Sequence, residues 1–383
     1  MKIIGLFLNN EIRTGGHTRY LELLSGIGEK GHLVTLYKNS FLERNVDHVS
    51  TINVPFLYTW DKRRFLGIRI KKLVLREMCS RPVEADWIVI FGETHWPAAK
   101  ALSHRYGIPV LYALRSDSVA EARSYLSLES PGLLRRARLH AMILYNRARE
   151  ADIARHAAII AFQSEHDRDA FVSRNSRAAG KTSVIRGDIR QARFKAAYAN
   201  TNRSTACRKL LFVGTLGTRK GLAYLLKAMA ALPDSIKKSV SLDILAAGTD
   251  YEPFDAIIRE AGLSGNVRFH GKVSNPLDFM KEADLLVAPS LFDSYPNVVL
   301  EALHVGLPVI GSRVGGIPDM LSREELIFEP ASVTTLAECL GKIVQSNDHY
   351  MMIRRLCAER RGYFDFDWAE QWIITMKKAI NKE

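Results

Sequence analysis

The chain has few of the features of a secreted, metal-binding or membrane-spanning protein. Its 383 residues include only four cysteines, which are widely spaced and form no C-x-x-C pair: Cys79, Cys207, Cys339 and Cys357. This spacing excludes the common zinc motifs and indicates a reducing compartment rather than a disulfide framework. No apolar run reaches the ~18–20 residues that a helix needs to cross a bilayer. We therefore expect a cytoplasmic protein, or one held peripherally at the inner face of the cytoplasmic membrane.

The sequence also lacks an acidic excess, because its formal net charge is +13. Residues 1–200 hold 32 Lys+Arg against 19 Asp+Glu, whereas residues 201–383 hold 22 of each, so the whole excess lies in the amino-terminal half. A basic surface can face nucleic acid, an anionic membrane or an acidic substrate. Zinc-finger spacing and the aromatic motifs of RNA-binding domains are absent, so nucleic acid is not expected.

Two basic segments of this half interleave arginine or lysine with apolar residues. They are residues 60–81, with eight basic and two acidic residues, and residues 133–149. Helices of this composition can lie on an anionic membrane surface. An ordinary helix with a solvated basic face has the same composition. The basic half is therefore open to two interpretations, contact with an anionic membrane or an ordinary solvated helix face.

Length and periodicity predict an α/β protein with two domains. At 47% hydrophobic residues the chain has ample material for two cores. Short apolar runs alternate with helical patterns, which predicts two Rossmann-like parallel sheets. Residues 196–208 are small and polar without periodicity and are predicted to form the linker between domains at 1–195 and 209–362. Residues 363–383 are predicted to form an amphipathic helix.

The most informative stretch runs from Leu285 to Met320. It reads as two strand–loop–helix units, with buried strands at Leu285–Ser290 and Leu307–Ile310. Parallel strands end at one edge of the sheet, where open α/β sheets bind ligands.

The first of these loops carries Asp293, and the helix after it carries Glu301. The backbone N–H groups of Asn297 and Val298 fall at the start of that helix, where an anion is favoured. Two carboxylates beside an anion site suit a sugar attached to a phosphate.

A second candidate phosphate site follows the strand at Lys209–Val213. The loop from Gly214 to Gly221 places three glycines, Arg219 and Lys220 between a strand and a helix. Glycines allow close approach of a ligand, and the two cations neutralise phosphate charge. The P-loop pattern G-x-x-x-x-G-K-[ST] is absent.

The amino-terminal half offers weaker candidates. Gly15 and Gly16 form a turn between the first strand, Lys2–Leu8, and a helix predicted to begin near Thr18. Polar residues at the ends of three further strands are candidates for binding an acceptor. The strands are Trp87–Phe91, Pro109–Leu114 and Ala158–Phe162, and the candidate residues are His95, Arg115 and Asp117. His95 can equally be a packing residue, and Arg115 with Asp117 a local ion pair.

These motifs resemble the signature of the retaining glycosyltransferases of the GT-B fold, in particular glycosyltransferase family 4, the group 1 glycosyltransferases. The signature is an acidic residue, seven residues and a glutamate, followed by G-x-P-V and G-G-x-x-E/D. The chain matches it with Asp293, Glu301, Gly306-Leu307-Pro308-Val309 and Gly315-Gly316-Ile317-Pro318-Asp319. It departs at Asp293, where Glu is usual, and at Tyr295-Pro296, where Phe-Gly is usual. Lys220 matches the lysine of V-G-x-L-x-x-x-K-G, while Thr215 replaces a frequent arginine.

The resemblance implies two Rossmann-like domains facing each other across a crevice, with the final helix crossing back onto the first domain. It implies that Glu301 holds ribose hydroxyls, that Asp293 holds a hydroxyl of the transferred sugar, and that main chain near Val273 contacts the base. In the family, a Gly-Gly turn at the position of Gly15 and Gly16 closes over the donor diphosphate. Asp293, Glu301, Lys220 and Arg219 are the expected catalytic residues. The other expected donor-binding residues are Gly15, Gly16, Gly214, Thr215, Gly248, Val273, Ser294, Tyr295, Asn297 and Val298.

No metal or other cofactor is expected. The string Asp365-Phe366-Asp367 matches the metal motif of a different glycosyltransferase fold, but it directly precedes a predicted helix, where Asp is a good N-cap.

The predicted function is transfer of a sugar from a UDP- or GDP-linked donor to a glycan or lipid-linked acceptor in cell-surface polysaccharide biosynthesis. Two alternatives remain. One is a nucleotide-sugar-binding pseudoenzyme or scaffold, and the other is a sugar-nucleotide epimerase or hydrolase on the same fold.

Overall fold

The computed structural model describes residues 1–9, 11–12, 15–40, 42, 45–54, 83–128, 131–189, 204–248 and 250–380. The chain divides into two compact units. Unit 1 comprises Met1–Arg186 with Asp367–Glu383, and unit 2 comprises Gly187–Phe366. The division therefore lies at Arg186, before the predicted domain end at residue 195. Most of the predicted linker and the basic segment 60–81 lie outside the described residues.

Unit 1 contains a parallel sheet with the order β3-β2-β1-β4-β5-β6-β7. Its strands are β1 (Lys2–Phe7), β2 (Leu33–Asn39), β3 (Ser50–Val54), β4 (Trp87–Phe91), β5 (Val110–Ala113), β6 (Ile159–Phe162) and β7 (Thr182–Val184). The helices that follow in sequence are α1 (Gly15–Glu29), α2 (Trp96–Tyr106), α3 (Ser118–Leu128), α4 (Leu133–His156) and α5 (Glu165–Arg174). Strands β4, β5 and β6 are buried along their whole length, as expected for a sheet covered on both faces.

The first helix begins earlier than predicted. Gly15 and Gly16 belong to its first turn rather than to the loop before Thr18. Glycine is least costly at a helix end, where the first backbone N–H groups have no partner within the helix.

Unit 2 contains a second parallel sheet, with the order β10-β9-β8-β11-β12-β13. Its strands are β8 (Lys209–Thr215), β9 (Ser241–Ala247), β10 (Val267–Phe269), β11 (Leu285–Ala288), β12 (Val309–Ser312) and β13 (Ile327–Phe328). Its helices are α6 (Leu222–Ala230), α7 (Asp234–Lys237), α8 (Glu252–Glu260), α9 (Pro276–Glu282), α10 (Asn297–His304), α11 (Ile317–Leu321), α12 (Val333–Gln345) and α13 (Asn347–Gly362).

Prolines shorten the two central strands relative to the prediction. Strand β11 ends before Pro289, and β12 starts after Pro308 rather than at Leu307. Proline has no N–H to donate to a sheet, so it marks the ends of buried strands.

In both sheets the strand order reverses beside the first strand of the unit. Strands β2 and β3 lie on one side of β1, and β4 to β7 lie on the other. In unit 2 the reversal falls between β8 and β11. Loops leave a sheet in opposite directions at such a point and open a crevice at the carboxyl ends of the strands.

The last helix, α14 (Trp368–Ile380), belongs to unit 1, whereas the residues just before it belong to unit 2. It starts five residues later than predicted, because Phe364 is buried in unit 2 and its carbonyl accepts the Ile189 N–H at 3.1 Å. The Asp367 carboxylate accepts the Glu370 N–H at 3.0 Å, which confirms Asp367 as an N-cap.

The tryptophans of α14 anchor it in unit 1. Trp372 is buried with its ring 5.3 Å from Phe91, and the Arg19 guanidinium lies 3.9 Å from the ring centre of Trp368. Among the described helices of the chain, none is both long and apolar enough to cross a membrane.

We expect Trp372→Ala to lower the free energy of unfolding of unit 1 by about 3–5 kcal/mol, because it leaves a cavity in the core. Ile380→Ala, an exposed position on the same helix, should change it by less than about 1 kcal/mol. All five tryptophans of the sequence lie in unit 1, so urea unfolding followed by tryptophan fluorescence reports on this unit. Equal effects of the two substitutions would show that α14 does not depend on Trp372.

Candidate active site

Four loops of unit 2 meet at the carboxyl ends of β8, β9, β11 and β12. The Leu216 N–H donates to Ala247 O at 3.0 Å, which joins the β8 and β9 loops. The Leu291 N–H donates to Arg219 O at 2.8 Å, and the Gly316 N–H donates to Ser294 O at 2.8 Å. These bonds link the β8 loop to the β11 loop, and the β11 loop to the β12 loop. The motifs that the sequence separates are therefore brought into one site.

Two glycines permit this close approach. A Cβ atom on Gly221 would lie 1.8 Å from Pro289 O, and one on Gly315 would lie 1.9 Å from Asp293 O. Both glycines also have positive φ, +71° and +51°, a conformation that other residues adopt at a cost. Any larger residue would push the loops that carry Lys220 and Asp293 apart.

The cations and the first acid of the signature lie together at the point of strand reversal. Lys220 Nζ donates to Asp293 Oδ2 at 2.5 Å, and Arg219 Nη1 lies 4.0 Å from Asp293 Oδ1. Ser290 Oγ lies 3.4 Å from Asp293 Oδ2. Asp293 is buried, and a buried carboxylate is stable only when cations and hydrogen bonds compensate its charge.

Helix α10 continues directly from this loop. Its first residues are Asn297 and Val298, as predicted, and Val299 N–H turns back to Pro296 O at 3.1 Å. The helix therefore points its positive end at the loop that carries Asp293. Within the described residues, Asn297 Oδ1 is buried without a hydrogen-bond partner. A buried unsatisfied oxygen at a helix start is a candidate contact for a bound ligand.

Glu301 is buried on α10, one helical turn after Asn297. Ser294 and Tyr295 are buried in the loop between β11 and α10. The sequence predicted Ser294, Tyr295 and Glu301 as site residues, but it did not predict Ser312. Its hydroxyl donates to Ser290 O at 2.5 Å and so ties the start of the β11 loop to β12.

Four further residues that the sequence predicted to bind the donor lie on strands and loops of unit 2. Gly214 and Thr215 close strand β8. Gly248 follows β9 with φ +141°, and a Cβ there would lie 3.0 Å from the side chain of Leu216. Val273 lies in the loop between β10, which ends at Phe269, and α9, which begins at Pro276.

In unit 1, His95 has a structural role at the point of strand reversal. Its Nε2 accepts the Leu8 N–H at 3.1 Å, and its Nδ1 lies 3.4 Å from Phe91 O. Burial lowers the pKa of His95 to about 4, opposed by the hydrogen bond to Phe91 and assisted by the nearby His17. The ring is therefore neutral and joins the ends of β1 and β4.

Asp117 pairs with Arg174, which is distant in the sequence. Asp117 Oδ2 accepts from Arg174 Nη2 at 2.7 Å, and Oδ1 accepts the Ala120 N–H at 2.8 Å. Arg174 also donates to both carboxylate oxygens of Glu150, at 2.8 and 3.0 Å. Arg115 places its guanidinium 5.0 Å from the ring centre of Phe91. Asp117 thus caps α3 and, through Arg174, joins it to α4 and α5. Arg174 is 57 residues from Asp117 in the sequence, and no local pattern indicates this pairing.

Alanine substitutions at Gly221 and Gly262 should separate the cost of steric overlap from the cost of backbone strain, because both glycines have positive φ but only Gly221 is closely packed. Gly262→Ala introduces a Cβ at φ +66°, where no atom of the described residues lies within 4 Å, and should cost about 1–2 kcal/mol. Gly221→Ala meets similar strain and also the carbonyl of Pro289, which should add about 1–3 kcal/mol. Urea unfolding by far-UV circular dichroism measures both, with unit 1 identified separately by its tryptophans. Equal losses would show that the β8 and β11 loops are not tightly packed.

The depressed pKa of His95 should make unit 1 sensitive to acid. In the unfolded chain His95 is protonated below its ordinary pKa of 6.5, whereas in the folded chain it stays neutral down to a pKa of about 4. Stability should therefore fall by about 3 kcal/mol between these pH values. His95→Gln removes this loss, whereas replacement of the exposed His166 by Gln leaves it. The test is the urea midpoint by tryptophan fluorescence against pH, and an unchanged profile in His95→Gln would contradict it.

Comparison with known proteins agrees with this geometry. Residues 197–356 match the family model described as glycosyl transferases group 1. Lipopolysaccharide glucosyltransferase WaaG of Escherichia coli is 32% identical over 136 residues, covering 35% of this chain and 36% of that protein. The chain covers only 30–40% of the length of the first five curated relatives that it matches.

Whole-chain similarity appears in solved structures. Sucrose-phosphate synthase from Thermosynechococcus elongatus superposes with a TM-score of 0.78 at 18% identity, covering 100% of both chains. HepE of Anabaena, solved with UDP and glucose, superposes with a TM-score of 0.70 at 18% identity, covering 100% of this chain and 98% of that one. The predicted fold class is confirmed. Residues 197–356 are therefore similar to the group 1 glycosyl transferases, within a chain of the GT-B fold.

Proposed function

We propose that this protein is a retaining glycosyltransferase that moves a sugar from a UDP- or GDP-linked donor to a glycan or lipid-linked acceptor. The observation that carries the proposal is the contact of Lys220 Nζ with Asp293 Oδ2, 2.5 Å apart beside the start of α10. It brings a cation for the diphosphate and an acid for the sugar to the point of strand reversal. The match of the surrounding residues to group 1 glycosyl transferases supports the same chemistry.

The charges of the site favour a diphosphate. Lys220, Arg219 and Asp293 together carry a net positive charge, and the start of α10 adds the positive end of a helix dipole. A nucleoside diphosphate sugar brings negative charge that both cations can share. Lys220 then exchanges its carboxylate partner for phosphate oxygens, and Asp293 becomes an acceptor for a hydroxyl of the sugar.

Transfer begins as the bond between the anomeric carbon and the diphosphate oxygen breaks, with negative charge building on the leaving group. Lys220, Arg219 and the N–H groups of Asn297 and Val298 stabilise that charge because they are already oriented. The acceptor hydroxyl attacks the same face of the sugar and gives its proton to the leaving phosphate. We propose that Glu301 holds the ribose hydroxyls, so that it binds the nucleotide and takes no proton.

Names of similar proteins guide the choice of substrates. HepE was solved with UDP and glucose, and WaaG is named for lipopolysaccharide synthesis. We therefore propose UDP as the first donor nucleotide to test, and a surface glycan or its lipid-linked precursor as acceptor. We also propose that the protein acts in the cytoplasm or at the inner face of the cytoplasmic membrane.

Three substitutions should separate binding from transfer. Lys220→Met should lower the rate of transfer about 10²–10³-fold, because it removes one preorganised charge from the leaving group. Asp293→Asn should bind nucleoside diphosphate at least as tightly as the wild type, since no carboxylate competes for Lys220, yet transfer little sugar. Glu301→Gln should weaken nucleotide binding about 10–100-fold. Calorimetry with UDP, GDP and ADP and transfer to acceptors from membrane extract provide the two measurements.

Exposed residues of the same type provide matched controls. Lys227→Met on α6 and Glu338→Gln on α12 should leave binding and transfer unchanged. Transfer should also survive EDTA, because Lys220 and Arg219 supply the positive charge. Nucleotide binding without transfer or sugar release would favour a scaffold. Release of free sugar without an acceptor would favour an epimerase or hydrolase, and no binding of any nucleotide would overturn the proposal.

A further inference from the structure

Helix α4 is anchored at one end and exposed at the other. It has 24 residues, of which the buried ones are Leu139, Asn146, Glu150, Ile153 and Ala154. At about 100° per residue these positions form a single narrow stripe. From residue 133 to residue 145 only Leu139 is buried, and Ile143 is half-buried.

The face opposite this stripe is apolar. It presents Leu133, Leu134, Leu144 and Tyr145, whose exposed fractions are 86%, 91%, 70% and 59%. The exposed alanines at 137, 141 and 148 fill the positions between them. Five of the nine large exposed hydrophobic side chains in the described parts of the chain lie on this one helix. A monomer rarely gathers exposed apolar side chains in this way unless they meet a partner.

Arginines border the apolar face on both sides. Residues 133–149 contain five arginines and no Asp or Glu. Arg136 and Arg147 project on one side of the apolar stripe, and Arg138 projects on the other. Arg149, nearer the anchored end, pairs with Glu93 and lies over the ring of Tyr145 at 5.2 Å. The exposed half of α4 therefore has leucines flanked by positive charge.

The second half of α4 is fixed to neighbouring elements of unit 1 by polar contacts. Glu150 accepts two hydrogen bonds from Arg174, and Asp152 accepts from Lys100 at 2.6 Å and from the Trp96 indole at 2.9 Å. Asn146 donates to Ser118 O at 3.4 Å. These bonds fix the orientation of α4, so its apolar face is presented on a rigid support.

We propose that the first four turns of α4, residues 133–147, lie in the plane of an anionic lipid bilayer. The leucines and Tyr145 enter the boundary between headgroups and acyl chains, and Arg136, Arg138 and Arg147 contact lipid phosphates. This inference goes beyond the proposed sugar transfer and does not depend on it.

The pattern favours lipid over other occupants. Two copies of α4 related by a twofold axis would place arginines of one copy beside those of the other. Nucleic acid would use the arginines but has no need of exposed leucines. An anionic bilayer satisfies both features of the same face.

The test is flotation of the full-length protein with vesicles of phosphatidylcholine, alone or mixed equally with phosphatidylglycerol. We expect binding only to the mixed vesicles, and loss of binding as NaCl screens the charges. Replacing Arg136, Arg138 and Arg147 by Gln together should lower the partition coefficient about a hundredfold, since each arginine near the surface contributes about fivefold. Leu134→Ser with Leu144→Ser should lower it more than tenfold.

Matched controls are exposed residues of unit 1 outside the segment 133–147. Leu33→Ser, 67% exposed, and Arg105→Gln with Arg177→Gln should leave binding near the wild-type level. Every variant replaces exposed side chains, and unchanged tryptophan-monitored unfolding verifies that the fold is retained. Binding that survives the α4 variants would overturn the proposal. So would absence of vesicle binding, or self-association in size-exclusion chromatography that only the leucine variants abolish.

Discussion

The ion pair of Lys220 and Asp293 is the interaction on which the candidate site depends. It joins the loop after β8 to the loop after β11, the two strands between which the order of the second sheet reverses. A buried charge pair stabilises a structure little by itself, because desolvation offsets most of the attraction. The ion pair instead fixes the positions of the Lys220 ammonium and the Asp293 carboxylate relative to each other. Under the proposed function, a charged ligand would separate the two groups.

Backbone geometry makes that contact possible. Gly221 lies against Pro289 O, and Gly315 lies against Asp293 O, at distances that no Cβ atom tolerates. Hydrogen bonds from Leu291 and Gly316 then fix the spacing between the loops. The chemistry of the site is thus carried by a few side chains, while its dimensions are set by glycines and main-chain bonds. Position 293 holds an Asp, one carbon shorter than the Glu that is usual in the family the sequence resembles, and this Asp is in hydrogen-bond contact with Lys220.

Unit 1 uses its polar residues differently. His95 joins the ends of β1 and β4, and Asp117 connects α3 to α4 and α5 through Arg174. These groups stabilise the sheet edge and orient α4, whose exposed half carries the leucine and arginine pattern described above. A residue at the carboxyl end of a strand is therefore not by itself evidence of ligand binding, because the same edge also needs internal hydrogen bonds.

The sequence alone determined the class of fold and the two parallel sheets, because period and spacing are local properties. Strands such as Trp87–Phe91, helix α10 near Asn297 and the cap at Asp367 were predicted on that basis. A resemblance to a known family indicated the candidate donor-binding motifs. Only the tertiary structure decided which residues meet. The pairing of Asp117 with Arg174, the neutral state of His95, the contact of Lys220 with Asp293, and the exposure of Leu134 and Leu144 join or separate residues far apart in the chain. Such contacts depend on strand order and burial, which no local pattern encodes.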